Sequence, residues 1–182
     1  MNPSRKDWPE TRIHVVQGTF EVTERHDVMM STILGSCVAA CVRDPSTGVG
    51  GMNHFLLPEA PDAHADGRRY GVQAMELLIN GLLRLGAQRG RLEAKLFGGA
   101  RMSTGLADIG AKNALFARRF LMDEGISVVA ESLGGEMARR IHYWPAAGRV
   151  QQHLVVDPAV SARERLAVVP RKSDGGDLEL WA

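Results

Sequence analysis

Apolar residues form short β-branched runs near both ends of the chain and helix-spaced rows in its middle. Residues 13–24 are rich in Val, Ile and Thr with a glycine inside, which predicts strand structure with a break. Further short apolar runs predict strands at 38–42, 49–57, 92–97, 126–130, 137–143 and 149–156. The first two runs flank the turn-forming segment "RDPSTG" and the last two flank "WPAAG", so each pair predicts a β-hairpin.

The middle of the chain carries two rows of apolar residues at helical spacing. In residues 70–85 apolar positions recur every three or four residues, which predicts an amphipathic helix. These positions are Val72, Met75, Leu78, Leu82 and Leu85. Gly86 follows where helices commonly end in a left-handed residue. Residues 111–124 show the same character and are followed by Gly125, so they predict a second helix.

The order of these elements is strands, helix, strand, helix, strands. It predicts an α+β fold, a layered sandwich of packed mixed β-sheets flanked by helices, because both ends of the chain form antiparallel strands. We expect a single domain over residues 13–156. Residues 1–12 predict a flexible lead-in, 58–71 a polar loop with prolines, and 157–182 a mobile tail.

Composition and charge narrow the class of protein. The 182 residues are 45% hydrophobic and 24% charged, which is normal for one globular domain with a real core. The formal net charge of +1 argues against a nucleic-acid binder, which would carry a clustered basic excess. No apolar stretch is long enough to span a bilayer, and the polar N-terminus lacks a signal-peptide core. We therefore expect a cytoplasmic protein without membrane insertion, in which both cysteines stay reduced.

The first hairpin brings a thiol and an imidazole together. With a four-residue loop at 44–47, Cys37 lies directly opposite His54, and opposed side chains share one face of the sheet. A thiol beside an imidazole can hydrogen-bond to it. A slip of one residue in the register would put the two on opposite faces, so the prediction depends on the turn.

Cys37 and His54 together predict an acyl-transfer site. A neighbouring protonated histidine stabilises the thiolate, which is the attacking species. Gly35 relieves crowding beside the nucleophile, and backbone N–H groups near Ser36 and Cys37 could face a developing oxyanion. A hydroxyl from Ser31 or Thr32 could orient the histidine.

Other interpretations of the same residues are less favoured. Free cysteines are usually buried and structural, and Cys41 within "VAACV" fits that role. A metal site built from Cys37, Cys41, His54 and His64 lacks the spacing of known metal motifs, so we expect neither metal nor cofactor. The glycine pairs Gly98–Gly99 and Gly134–Gly135 are too short for phosphate loops and fit tight turns, which could also let a substrate approach closely.

Taken together, these stretches resemble the chemoreceptor glutamine deamidase family, CheD. The resemblance is carried by "LGSCVAACVRDP" with Cys37 and by "GGMNHFLLP" with His54. Three further motifs follow in order, namely "KLFGGARM", "IGAKN" and "GGEMARRIHY", the last with Arg139 at a recurrent arginine position. The resemblance covers most of the chain, from about residue 16 to residue 156.

The resemblance implies a function, partners and a fold. Family members hydrolyse glutamine side-chain amides in the cytoplasmic helical region of methyl-accepting chemotaxis receptors, as protein-glutamine glutaminases that release ammonia. The fold it implies is similar to that of cysteine-dependent deamidating toxins. For the reaction we expect a thioester on Cys37 and a narrow substrate cleft, with these cleft candidates: Gly98, Gly99, Gly134, Gly135 and Arg139. Some members bind a CheC-type phosphatase, and some hydrolyse glutamyl methyl esters.

Two alternatives to deamidation stay open at this point: a non-enzymatic adaptor for receptors or the phosphatase, and a glutamyl methylesterase. The orienting residue is open as well. The family often has a threonine six residues before the cysteine, where this chain has Ser31, and Thr32 lies one residue closer.

Overall fold

The structure, a computed structural model, describes residues 11–57, 63–102 and 108–156. The strands are β1 Thr11–His14, β2 Phe20–Thr23, β3 Val28–Leu34, β4 Val38–Arg43, β5 Gly50–Asn53, β6 Glu93–Gly98, β7 Ser127–Leu133, β8 Ala138–Trp144 and β9 Arg149–Val155. The helices are α1 Ala63–Arg84 and α2 Ile109–Asp123, with a short 3-10 helix, Arg89–Arg91, before β6. Neither α-helix has the length and hydropathy needed to cross a bilayer, as far as the described residues go.

The nine strands of the described residues form two mixed sheets. One has four strands in the order β1-β3-β8-β9, and the other has five in the order β2-β5-β4-β6-β7. Most neighbours are antiparallel, while β1 and β3 are parallel, as are β6 and β7. The two sheets pack face to face, and both helices cover the other face of the five-stranded sheet. The α+β class predicted from the sequence is therefore confirmed.

Strand β4 lies in the middle of this stack and contributes to two cores. Val38, Ala40 and Val42 pack toward α1 and α2, while the alternate residues Ala39 and Cys41 pack toward the four-stranded sheet. This is the alternation that an extended strand imposes. Because β4 is covered on both faces, all of its residues except the last are buried, and it reads as a continuous apolar run.

Several element boundaries differ from those predicted. Thr11 and Arg12 belong to β1 and not to a lead-in, and β3 was not predicted at all. The predicted loop at 58–71 is also wrong over its second half, because α1 already begins at Ala63. The rest of that loop, at 58–62, and the predicted tail at 157–182 lie outside the described residues.

The β4–β5 turn is shifted by one residue on each side from the predicted loop. The Asp44 N–H donates to the Val49 carbonyl at 2.9 Å, so Asp44 continues the ladder and the loop is 45–48. The Asp44 carboxylate is fully buried, accepts the Ser46 and Gln88 N–H groups and pairs with Arg91 at 2.7 Å. These partners hold the pKa of Asp44 well below its usual range.

This shift changes the partner of Cys37 but not its face. Cys41 pairs with Met52, and Val38 forms an isolated bridge with Phe55. The prediction that Cys37 lies directly opposite His54 is therefore wrong. His54 lies one diagonal step away from Cys37, on the same face of the sheet. A shift of two positions in pairing preserves the side to which each residue points.

The end of β6 needs glycine because it lies against the loop that carries Cys37. Gly98 has φ +109°, and a Cβ built there would lie 2.1 Å from the Cys37 carbonyl oxygen. Gly86, which ends helix α1 as predicted, has φ +95° with no atom within 4 Å of such a Cβ. Both glycines have a positive φ, which strains any residue with a Cβ, but only at Gly98 would that Cβ collide with other backbone atoms.

We expect Gly98→Ala to destabilise the protein far more than Gly86→Ala. The matched Gly86→Ala should cost about 1–2 kcal/mol, since an L-residue is strained at positive φ. Gly98→Ala should cost about 1–3 kcal/mol more, because its Cβ must displace backbone. Urea unfolding of the two variants measures the difference, and equal costs would show that the close approach at Cys37 is absent.

Candidate active site

Cys37 ends a tight bend, residues 35–37, between β3 and β4. The bend is held by the turn after β6, because Gly99 N–H donates to the Cys37 carbonyl and Ala100 N–H to the Gly35 carbonyl, both at 2.7 Å. The Cys37 side chain is only 2% exposed. The backbone that carries the thiol is thus held by hydrogen bonds from the turn after β6.

Asn113 on helix α2 ties this bend to the segment that follows His54. Its Nδ2 donates to the Ser36 carbonyl at 2.9 Å, and its Oδ1 accepts the Leu57 N–H at 2.9 Å. The side chain is fully buried, so both bonds are made away from water. In the sequence, Asn113 stands out only as part of the "IGAKN" motif, which gives no sign of this role.

His54 follows β5, and hydrogen bonds at both its N–H and its carbonyl hold its backbone in place. Its N–H donates to the Thr19 carbonyl at 3.1 Å, and its carbonyl accepts the Gly18 N–H at 2.7 Å. The next residue, Phe55, exchanges two hydrogen bonds with Val38. The imidazole therefore starts from a well-anchored backbone and points into the space between the sheets.

Thr32 contacts the imidazole from the opposite sheet. Its Oγ1 lies 2.9 Å from His54 Nδ1, and the Val15 carbonyl oxygen lies 3.4 Å from the same nitrogen. A carbonyl can only accept a hydrogen bond, so we assign the neutral-imidazole proton to Nδ1. Nε2 then carries the lone pair.

Ser31 lies on the other face of β3. Its Oγ is 3.5 Å from His14 Nδ1, on the outer side of the four-stranded sheet. Because neighbouring residues of a strand point to opposite faces, Ser31 and Thr32 cannot both contact His54. Of the two hydroxyls that the sequence left open, the structure brings Thr32 to the histidine.

The environment of His54 favours a neutral ring. Burial lowers the pKa of His54 from 6.5 to about 4, and the hydrogen bond to Val15 opposes that shift only in part. Nε2 is buried and has no hydrogen-bond partner among the described residues. The imidazole is therefore a free base near neutral pH, unlike the protonated histidine expected from the sequence.

The Cys37 thiol contacts a residue that the sequence analysis missed. Sγ donates a hydrogen bond to the Gln17 side-chain oxygen Oε1 at 3.1 Å. His54 is the diagonal neighbour of Cys37 on the same face, and such neighbours are about 7–8 Å apart between Cα atoms. No local pattern in the sequence marks Gln17, because it contacts Cys37 from twenty residues away in the chain.

Cys41 has the surroundings of a structural cysteine. It is 1% exposed and packs with Met52 and Tyr143 between the sheets. Burial raises the pKa of the Cys41 thiol far above its usual range, which keeps it protonated and unreactive. Neither Cys37 nor Cys41 forms a disulfide.

Metal-binding clusters are absent from the described residues. Among the side chains that the structure describes, those of residues 11–57, 69–102 and 108–156, no group of three or more His, Cys, Asp or Glu is arranged to hold an ion. The side chain of His64, one of the four residues weighed for a metal site, lies outside the described part.

The predicted cleft residues divide into two groups. Gly99, Gly134 and Gly135 line a surface cleft of about 410 Å³, whose other lining residues are Arg101, Asp108, Ala111, Ala114, Leu115, Arg118, Leu133 and Glu136. Gly98 instead packs under Cys37. Neither Cys37 nor His54 lines this cleft.

Arg139 is buried and engaged within the protein. Only 4% of it is exposed, and its guanidinium donates to the carbonyls of Ser132 and Gly134. Burial lowers its pKa. These contacts hold the end of β7 beside the glycine turns, so the structure gives Arg139 a place in the framework and not on a substrate-facing wall.

A buried thiol, an oriented neutral imidazole and a hydroxyl behind it are the components of a thiol-dependent hydrolase site. The family model for CheD, described as CheD chemotactic sensory transduction, matches residues 56–153. The chain belongs to the CheD family. The match begins after His54, so the geometry around Cys37 and His54 is independent of it.

Relatives cover the remainder of the chain. A protein of Caulobacter sp. (strain K31) is 57% identical over 95% of this chain and 94% of its own length. Relatives from Caulobacter vibrioides (strain NA1000 / CB15N) and Sinorhizobium medicae (strain WSM419) are 54% and 61% identical, over 100% and 78% of this chain and 100% and 79% of their own. All three are named "Probable chemoreceptor glutamine deamidase CheD". The crystal structure of Neisseria meningitidis protein NMB0706 has a TM-score of 0.48 at 10% identity, over 69% of this chain and 64% of that one.

The lowered pKa of His54 predicts a pH-dependent stability. Between about pH 6.5 and 4 the unfolded chain binds a proton at His54 and the folded chain does not, so the free energy of unfolding falls as the pH falls. The loss should be on the order of 3 kcal/mol when complete. It should be absent from His54→Gln, and unfolding titrations across this range measure it. Parallel pH profiles for the two proteins would contradict a buried neutral His54.

Proposed function

We propose that this chain is a cytoplasmic chemoreceptor glutamine deamidase, a hydrolase that converts receptor glutamines to glutamates. The observation that carries the proposal is the Thr32–His54 hydrogen bond of 2.9 Å on the face that Cys37 shares. Family membership and the name given to the relatives support the substrate class. The expected similarity to deamidating toxins remains a prediction of the resemblance.

The reaction begins with proton transfer from the Cys37 thiol to His54 Nε2. The sulfur then attacks the side-chain carbonyl carbon of the substrate glutamine and forms a tetrahedral intermediate. The imidazolium returns the proton to the amide nitrogen, which leaves as ammonia, and a thioester remains on Cys37. Water, deprotonated by His54, cleaves the thioester and releases glutamate and the free thiol.

Each neighbour has a defined part in this mechanism. Thr32 and the Val15 carbonyl fix the ring through Nδ1, so that Nε2 faces the reacting atoms. Three successive carbonyls of the bend accept hydrogen bonds: Gly35 from Ala100, Ser36 from Asn113 and Cys37 from Gly99. We assign the oxyanion to the backbone N–H groups near Ser36 and Cys37, because these groups lie beside the sulfur that attacks.

The substrate is the cytoplasmic helical region of a methyl-accepting chemotaxis receptor. Docking of a CheC-type phosphatase is a second interaction that the family resemblance implies. An adaptor without catalysis has no need of a Thr32–His54 contact beside a thiol, so the geometry favours the enzyme. A glutamyl methyl ester could enter by the same steps, with methanol leaving in place of ammonia.

The proposal is tested with Cys37→Ala and the matched Cys41→Ala, using a purified cytoplasmic receptor fragment. Mass spectrometry follows the exchange of amide NH2 for OH on glutamine. Cys37→Ala should lower the rate at least about a thousandfold, since the nucleophile is lost. Cys41→Ala should keep the chemistry, because Cys41 is buried away from it. Full conversion by Cys37→Ala would refute the nucleophile. If Cys37→Ser still regulated receptor signalling, the result would favour a non-enzymatic adaptor. If activity were restricted to methylated fragments, it would favour a glutamyl methylesterase.

Thr32→Val and Ser31→Ala should separate the two candidate hydroxyls. Thr32→Val keeps the shape of the side chain and removes the hydrogen bond to His54, so kcat should fall about tenfold, the rate equivalent of roughly 1.4 kcal/mol. Ser31→Ala should leave kcat unchanged, because Ser31 lies on the outer face. Steady-state deamidation kinetics measure both, and a larger loss in Ser31→Ala would reverse the assignment.

A further inference from the structure

The connection between β1 and β2 crosses the site beside His54. Val15 N–H donates to the Ser31 carbonyl at 2.9 Å, and Gly18 and Thr19 bond to the His54 backbone. Gln17 lies between these anchored residues. Although its position on the surface leaves it exposed, its side-chain oxygen reaches the Cys37 thiol at 3.1 Å.

The group that Gln17 brings to the thiol is the group on which a glutamine deamidase acts. It is a primary carboxamide on a two-methylene stem, identical to the side chain of a substrate glutamine. With that carboxamide in contact, Cys37 is 2% exposed. A substrate glutamine must reach the same sulfur atom, and two carboxamides cannot contact it at once.

We propose that Gln17 occupies the amide-binding position of the active site in cis and competes there with the substrate glutamine. The inference rests on the proposed function for the identity of the competitor, but the occupation of the thiol by Gln17 is independent of it. An incoming side chain must therefore displace the contact between Gln17 and the sulfur.

The contact geometry is that of a competitor and not of a reacting substrate. The thiol donates to the carbonyl oxygen, whereas attack requires the sulfur to face the carbonyl carbon and the oxygen to face the oxyanion donors. The anchors at Val15, Gly18 and Thr19 restrict the backbone from bringing the carbon forward. Gln17 therefore keeps its amide.

Competition of this kind raises the apparent KM. Substrate binds only to molecules whose site is open, so its apparent affinity is reduced by the open fraction. One hydrogen bond of ordinary strength closes the site most of the time. Its removal should lower KM about three- to tenfold, with kcat unchanged because Cys37, His54 and Thr32 are untouched.

Alkylation of Cys37 by iodoacetamide tests the occupation without any receptor. Gln17→Ala should raise the Cys37 alkylation rate about three- to tenfold over the wild type, by the same open-fraction reasoning. The control is Val16→Ala, a neighbouring residue that is 51% exposed and should leave the rate unchanged. Cys41 is an internal reference, buried in both variants. An unchanged Cys37 rate in Gln17→Ala would overturn the proposal, even if deamidation itself had failed.

Kinetics on the receptor fragment then separate competition from other roles. A lower KM at constant kcat in Gln17→Ala supports competition, and Gln17→Asn, which has an amide one methylene shorter, should behave like it. A fall in kcat would mean that Gln17 assists the thiol and would contradict the proposal. Conversion of Gln17 itself to glutamate during turnover, detected by peptide mass, would also contradict it, since a competitor does not react.

Discussion

The Thr32–His54 hydrogen bond joins the two β-sheets, and the arrangement of the site depends on it. Thr32 belongs to the four-stranded sheet, while His54 follows an inner strand of the five-stranded sheet. The bond forms only if β3 presents its even-numbered residues inward and β5 keeps its register with β4. The first condition buries Met30 and Leu34 beside Thr32. The second is supported at the far end of the strands by the Asp44–Arg91 pair, whose carboxylate is buried and whose guanidinium is partly exposed. Core packing and turn chemistry therefore orient the histidine together.

Cys37, the proposed nucleophile, is positioned by a different set of contacts. The bend before β4 is tied to the turn after β6 through Gly98 and Gly99 and to helix α2 through Asn113. These elements belong to the helix-covered side of the five-stranded sheet, whereas the partner of His54 comes from the other sheet. The thiol and the imidazole lie on the same face because β4 and β5 are neighbours, and burial between the sheets keeps the imidazole neutral. A buried neutral base can accept the thiol proton during attack without a stable ion pair at rest.

Local patterns in the sequence predicted most elements but not the contacts that complete the site. The spacing of Met75, Leu78 and Leu82 predicted α1, because one apolar face determines a helix. Strand β3 was missed because its consecutive buried residues, Val28 to Met30, hide the strand alternation. Without that strand, the choice between Ser31 and Thr32 could not be made. Gln17 and Asn113 meet Cys37 and Ser36 only through tertiary packing, so no local signal could identify their roles. The shared face of Cys37 and His54 was expected from the hairpin, although the turn is displaced by one residue on each side.

The central claim is that His54 is a neutral base whose proton is held on Nδ1 by Thr32 and Val15. Nitrogen NMR of isotopically labelled histidine measures the protonation and tautomer of His54 directly. The account predicts a neutral ring at pH 6, protonated at Nδ1, that gains its second proton only near pH 4. An imidazolium at pH 6, or a proton on Nε2, would contradict it.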